Sequence, residues 1–359
     1  MRTSPTRGAV MIRHILRKVN DAAGETLGIR LIRERDLYPW QLHQPGGSCQ
    51  TTNLPPSAEA YLRPDNPRLK ELKERYGKCD ARVTTPAIWE DGILAAADIA
   101  YFRKDNAFVW QERRGTRFNE LAYAASYYAL KASGAGDLLT LLDEDGLFGA
   151  HVFRIDGRHV SRDLLDSVRE IDFVRTHLDL ANTHTNILDI GAGYGRLPHR
   201  LSLVTQGTVN IYATDAIAES TFVSEFYLKF RAAERVSVIP LDEFETFIAS
   251  TPIDLAINIH SFSECSLVAI DWWVERLATN KVNQLLVIPN HVDAATQRCL
   301  TNRGEDMELI FERHGYAAII REPRYPDGIL QRYGIDPSLI SLFELSPRAP
   351  PSIAENTED

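Results

Sequence analysis

Four cysteines in 359 residues, Cys49, Cys79, Cys265 and Cys299, stand far apart with no C-x-x-C pair. That spacing argues against a disulfide framework or a thiolate zinc site and points to a reducing compartment. No apolar run approaches the ~20 residues of a membrane span. No signal-peptide core precedes a small-residue cleavage site, so the cytoplasm is the expected location. Positive charge is also in deficit: 40 lysines and arginines face 49 aspartates and glutamates, a formal net charge of −9. A chain built to track nucleic-acid phosphates needs the opposite balance, and an anionic membrane surface would repel this one. No Asp/His cluster shows a metal-binding spacing, so no metal is expected. Internal repeats and low-complexity segments are missing too. The partner left is a small molecule, with self-association open.

What is present is an ordinary globular composition, 44% hydrophobic and 9% aromatic, over a length that exceeds a typical single domain. The most informative stretch is Asn186–Leu197, NILDIGAGYGRL. Ile187, Leu188 and Ile190 supply the apolar run of a parallel strand covered on both faces. Gly191, Gly193 and Gly195 allow a sharp turn and a close ligand, and Pro198 falls in the first turn of the helix after them. A dinucleotide fingerprint needs a third small residue where Arg196 stands. The glycines run G-x-G-x-G instead, beside Asp189. A carboxylate there suits a cationic ligand better than a pyrophosphate, and S-adenosylmethionine carries a sulfonium and an ammonium. The strand Asn210–Asp215 ends in a second acid, placed to accept ribose hydroxyls, with a helix N-cap as its ordinary alternative.

At these residues the chain resembles the class I S-adenosylmethionine-dependent methyltransferases, whose first motif D/E-x-G-x-G-x-G is matched by Asp189, Gly191, Gly193 and Gly195. The surrounding sequence supports an α/β fold. A helix opens at Ser161, and strands at 186–190, 210–215, 236–240, 254–259 and 284–288 alternate with helices. Tyr316–Ile320 and Leu339–Leu345 complete a doubly wound, mainly parallel seven-stranded sheet, with a hairpin of long connection as one way for these last two strands to pair. The expected organisation is an arm over 1–60, a mostly helical cap over 61–160, the cofactor-binding domain over 161–346 and a proline-rich acidic tail over 347–359. Between 87 and 135 the cap carries an aromatic stripe, including Trp89, Phe102, Phe108, Trp110, Tyr123, Tyr127 and Tyr128. A stripe at helical spacing is more often core, so only two or three are expected to face a ligand.

Four stretches, EDGLFG at 144–149, SRDLLDS at 161–167, DIGAGYGRL at 189–197 and HSFSEC at 260–265, resemble bacterial sugar O-methyltransferases over roughly residues 85–346. The resemblance implies methyl transfer to a hydroxyl of a sugar or glycoside. Members of that family more often carry Asn at the position of His260 and Met at that of Cys265, whereas Glu264 matches.

Methyl transfer is an in-line displacement that depends on alignment, helped by a base near the weakly nucleophilic hydroxyl. His260, Glu264 and His291 follow the ends of the fourth and fifth strands and are the catalytic candidates. His260 is the base, Glu264 its orienting or substrate-binding partner, and His291 the reserve. The cofactor candidates are Asp189, Gly191, Ala192, Gly193, Tyr194, Gly195 and Asp215. To these are added Asp242 for the adenine amino group, Arg162 for the methionine carboxylate and Asn258, for which a buried ladder position is the alternative. An N-methyltransferase of an amino sugar and a nicotinamide oxidoreductase are the competing readings.

Overall fold

The computed structural model describes residues 19, 48–50, 53–84, 99–104, 119–178, 186–335 and 338–346. Most of the expected arm, the stripe residues Trp89, Phe108 and Trp110, and the tail 347–359 lie outside them. The chain divides into two compact units, 1–47 and 48–359, and nearly all the described residues belong to the second.

In chain order the second unit contains β1 (Ser48–Gln50), α1 (Pro56–Tyr61), α2 (Pro67–Tyr76), α3 (Ala81–Thr84), α4 (Asn119–Ala132) and α5 (Gly136–Leu141). Next come β2 (His151–Ile155), β3 (Arg158–Val160), α6 (Arg162–His177), β4 (Asn186–Ile190), α7 (Arg196–Thr205) and β5 (Asn210–Thr214). After these stand α8 (Ala218–Phe230), β6 (Val236–Val238), α9 (Leu241–Ser250), β7 (Leu255–Ile259), α10 (Ser261–Glu264) and α11 (Leu267–Thr279). The unit ends with β8 (Gln284–Ile288), β9 (His291–Val292), β10 (Cys299–Leu300), α12 (Glu308–Arg313), β11 (Tyr316–Pro323), α13 (Gly328–Tyr333) and β12 (Leu339–Leu345).

Seven strands form one sheet in the order β11-β12-β8-β7-β4-β5-β6. β4 through β8 run parallel, and β12 is antiparallel to both β8 and β11. This is the doubly wound, mainly parallel sheet expected from the sequence. The chain steps outward from β4 to β6 and then returns to β7, so the strand order reverses between β4 and β7. Open α/β sheets bind ligands outside the carboxyl ends of the strands at such a point. Of the small β1-β2-β3 sheet the sequence suggests only β2, as a short strand over His151–Ile155; β1, β3 and the β9-β10 pair were not foreseen, because strands of two or three residues carry little periodicity.

Both faces of the sheet are covered. Leu188, Ile190, Ala256, Leu285 and Val287 point to one hydrophobic cluster. Their neighbours Ile187, Ile211, Leu255, Ile257, Leu286 and Ile288 point to the other, as strand alternation requires. The segment before residue 161 enters both clusters, through Leu69, Leu72, Tyr76 and Phe102 on one face and Tyr123, Tyr127 and Leu138 on the other. No break in packing therefore marks residue 161 among the described residues. Of the described stripe residues, Phe102, Tyr123 and Tyr127 are buried, and Tyr128 is exposed with its hydroxyl donating to Asp156.

A buried ionic lattice joins the two halves. Ser161 caps α6, its Oγ accepting from Leu164 N at 3.0 Å while donating to Glu144 Oε2. Glu144 also accepts from Arg103 at 2.6 Å and from Arg200 at 3.3 Å. Arg103 donates in turn to Asp163, which accepts from the Tyr194 hydroxyl as well. Further along α6, Glu170 lies between Arg196 and Arg324, at 2.7 and 2.9 Å. Three of the four stretches singled out in the sequence thus meet here.

Candidate functional site

The site is built where β4 and β7 end. Gly191 and Ala192 both donate their N–H to Thr214 O, at 2.9 and 3.1 Å, folding the glycine turn against the end of β5. Gly191 has φ 72°, and a Cβ there would lie 2.2 Å from Ser261 Oγ, so this glycine lets α10 close onto the turn. Gly193, with φ 56°, is different: a Cβ on it would meet nothing within 4 Å. One glycine permits packing and the other faces open space. Asn258, fully buried, ties the two strand ends together. Its Nδ2 donates to Ile190 O at 2.9 Å and its Oδ1 accepts from Phe262 N at 2.8 Å.

Two carboxylates stand at the ends of neighbouring strands. Asp189 is 4% exposed, and its carboxylate makes no hydrogen bond or ion pair among the described residues. Burial pushes its pKa up to about 8, against the pull of the Arg196 charge and with a further push from Glu170 and Asp215. Asp215 accepts from Gly193 N at 3.0 Å and from Ile217 N at 2.9 Å, so it braces the glycine turn and the turn leading into α8, whose own start has no side-chain cap. Burial pushes its pKa up to about 7, the two backbone donors pull it down, and the Glu264 charge raises it. Asp189, Asp215 and Glu264 are therefore linked by charge at a single region of the sheet. An acid held neutral by burial and lacking a partner is a place where a cationic ligand would gain most. The residues present fit a sulfonium- or ammonium-bearing ligand with ribose hydroxyls.

The remaining cofactor candidates are committed to other contacts. Tyr194 is 2% exposed, its ring packed on Phe102 and Tyr227 and its hydroxyl donating to Asp163. Arg162 Nε donates to Asp166 Oδ2 at 3.0 Å, so a carboxylate of the same helix already serves it. Asp242 stands in the first turn of α9 and receives two hydrogen bonds from Arg75, at 2.8 and 2.9 Å. Gly195 begins α7 in the left-handed region, φ 86°. Arg196, which breaks the dinucleotide spacing, leaves the turn to bond Glu170.

His260 occupies the junction between β7 and α10 with φ 64° and ψ −32°, a backbone state that costs a non-glycine residue free energy. It is held there because its N–H donates to Ile288 O at 2.7 Å and its carbonyl accepts from Ser263 N at 3.0 Å. Such strain concentrates at functional sites. His291 lies exposed on the β9-β10 pair, opposite Leu300. Sequence reasoning missed Ser261, whose contact with Gly191 is visible only once β4 and β7 are adjacent. Among the described residues no group of three or more His, Cys, Asp or Glu could hold a metal ion, and no helix is long and apolar enough to cross a membrane.

No protein-family model matches the sequence. No curated protein matches it either. Among solved structures the chain is similar to a SAM-dependent methyltransferase from Aquifex aeolicus, at 15% identity over 47% of this chain and 87% of that one, TM-score 0.36. It is also similar to magnesium protoporphyrin IX methyltransferase from Synechocystis with bound SAM, at 13% identity over 66% and 100%, TM-score 0.37. A third is the [4+2]-cyclase SpnF, at 16% identity over 54% and 85%, TM-score 0.37. Scores this low carry no argument about activity, and the fold rests on the strand order itself.

Proposed function

We propose that this chain binds S-adenosylmethionine at the β4-β7 switch point and transfers its methyl group to a hydroxyl of a sugar or sugar-containing small molecule. The observation that carries the reading is Asp189, a buried carboxylate without a partner among the described residues, next to the turn whose Gly193 faces open space. Bound there, S-adenosylmethionine would supply an electrophilic methyl group. Asp215 would hold the ribose hydroxyls, and Asp189 would sit closest to the positive charge. A pyrophosphate would meet two acids in place of an arginine, since Arg196 is turned to Glu170, which disfavours the nicotinamide alternative. The sugar class rests on the resemblance of the 144–149, 161–167, 189–197 and 260–265 stretches taken together. The same acids would suit an amino sugar.

In this reading His260 accepts the hydroxyl proton, Glu264 orients it or the substrate, and His291 is the reserve. Asp215→Ala should weaken cofactor affinity roughly ten- to a hundredfold, the loss of a charge-assisted bond; titration calorimetry showing unchanged affinity would remove Asp215 from the site. Incubating a panel of glycosides and amino glycosides with labelled cofactor, with mass spectrometry of the products, decides between oxygen and nitrogen acceptors.

The acids also impose a pH dependence. Their raised values mean that the folded protein holds these protons more tightly than the unfolded chain, so a stability fully present below the usual carboxylate range is lost progressively as pH rises from there, and the loss is complete above about 7 and 8. Binding works in the opposite sense, because the ligand needs the ionised form. Cofactor affinity should fall about three- to tenfold between pH 7 and pH 6, measured at constant ionic strength. A flat profile would mean that neither acid changes protonation on binding.

A further inference from the structure

Helix α2 lies outside the sheet, yet it is fastened to the two helices that leave the β5 and β6 ends of the site. Tyr76, at its last position, is buried, and its hydroxyl stands 2.7 Å from Thr221 Oγ1 on α8 while accepting the N–H of Leu241 at 2.9 Å. Leu241 is the first residue of α9, whose N-cap position, Pro240, offers no side-chain cap. The tyrosine thus satisfies an amide that the helix start leaves without an internal partner. One residue earlier, Arg75 clasps Asp242 at 2.8 and 2.9 Å. At the other end of α2, Arg68 clasps Glu225 on α8 at 2.6 and 3.0 Å.

The consequence concerns the gap between two turns. Asp215 closes β5, and β6 runs parallel beside it, ending just before α9. With the cationic end of the ligand at Asp189 on β4 and its ribose at Asp215 on β5, the base continues the line across the sheet toward β6. It would then lie over the gap that Tyr76 spans.

Resting on the function proposed above, we propose that Tyr76 is a positioning residue for the cofactor. By bridging α8 and the start of α9, it fixes the width of the adenine end of the site, and α2 must be docked for tight binding. The segment before residue 161 then serves the cofactor as well as the substrate. Tyr76→Phe keeps the ring in the core and removes only the bridge. The variant should bind S-adenosylmethionine about tenfold more weakly by calorimetry. Its KM for the cofactor should rise by a similar factor, while kcat at saturating cofactor stays within about twofold. A purely structural tyrosine would lower Tm and leave the affinity of the folded protein alone. Should Tyr76→Phe fail to fold, Arg75→Ala, which leaves the core intact, is expected to weaken binding about three- to tenfold through the same helix. Wild-type binding with no loss in either folded variant overturns this inference and leaves the proposed function standing. Absence of S-adenosylmethionine binding by the wild type overturns both.

Discussion

Replacing His260 by alanine is expected to lower kcat by ~10²–10⁴, the usual cost of removing a general base, with cofactor affinity intact. The backbone at this position supplies the control. With φ at 64°, an L-residue pays roughly 1–2 kcal/mol that glycine escapes. His260→Gly should therefore be about 1 kcal/mol more stable than His260→Ala while losing turnover equally. Asparagine tolerates positive φ well, so His260→Asn should fold normally and report only on the missing imidazole. A fall of less than tenfold in His260→Ala with a collapse in His291→Ala would exchange the two roles. If both variants stay active, positive φ alone selected the residue, and the proposed methyl transfer proceeds by alignment.

Replacing Glu144 by glutamine should destabilise the protein by about 3–5 kcal/mol, the cost of breaking a buried ion pair from one side, or roughly 5–8 °C in Tm. The Glu144 and Arg103 side chains are 0% and 1% exposed, and their oxygen and nitrogen lie 2.6 Å apart. Burial alone would raise the Glu144 pKa, but Arg103 and Arg200 outweigh it and hold the carboxyl at about 2. The stabilisation is thus present above the usual carboxylate range and lost as pH falls through about 2. Glutamine keeps the shape and leaves two buried guanidinium groups short of charge. Asp65, whose pair with Arg63 is exposed, is the comparison. Asp65→Asn should not move Tm measurably, since solvent screens such pairs. Equal effects at the two positions would show that the buried lattice contributes no more than a surface pair.

The glycine turn, the strands β4, β5 and β8 and the cap at Ser161 were legible because each is a local property of consecutive residues. The lattice was not. On α6 the apolar residues Leu164, Leu165, Val168 and Ile171 recur at helical spacing and mark one buried face, but say nothing of the charges between them. In the structure Asp163, Asp166, Arg169 and Glu170 are buried as well. Their partners include Arg103, 60 residues before Asp163, and Arg324, 154 residues after Glu170. Spacing along one helix cannot announce partners that distant. Tyr194 and Arg162 suited the cofactor by type and position, yet each already has an acid of α6, Asp163 or Asp166. The same limit hid Tyr76, whose contact with Leu241 spans 165 residues.

Titration calorimetry of the wild-type protein with S-adenosylmethionine and, separately, with NAD tests cofactor choice most directly. The expected result is saturable one-to-one binding of S-adenosylmethionine that is lost or sharply weakened in Asp215→Ala, with no measurable binding of NAD. Tight binding of NAD, or no heat with S-adenosylmethionine at pH 8, where the two acids are most nearly ionised, would contradict it.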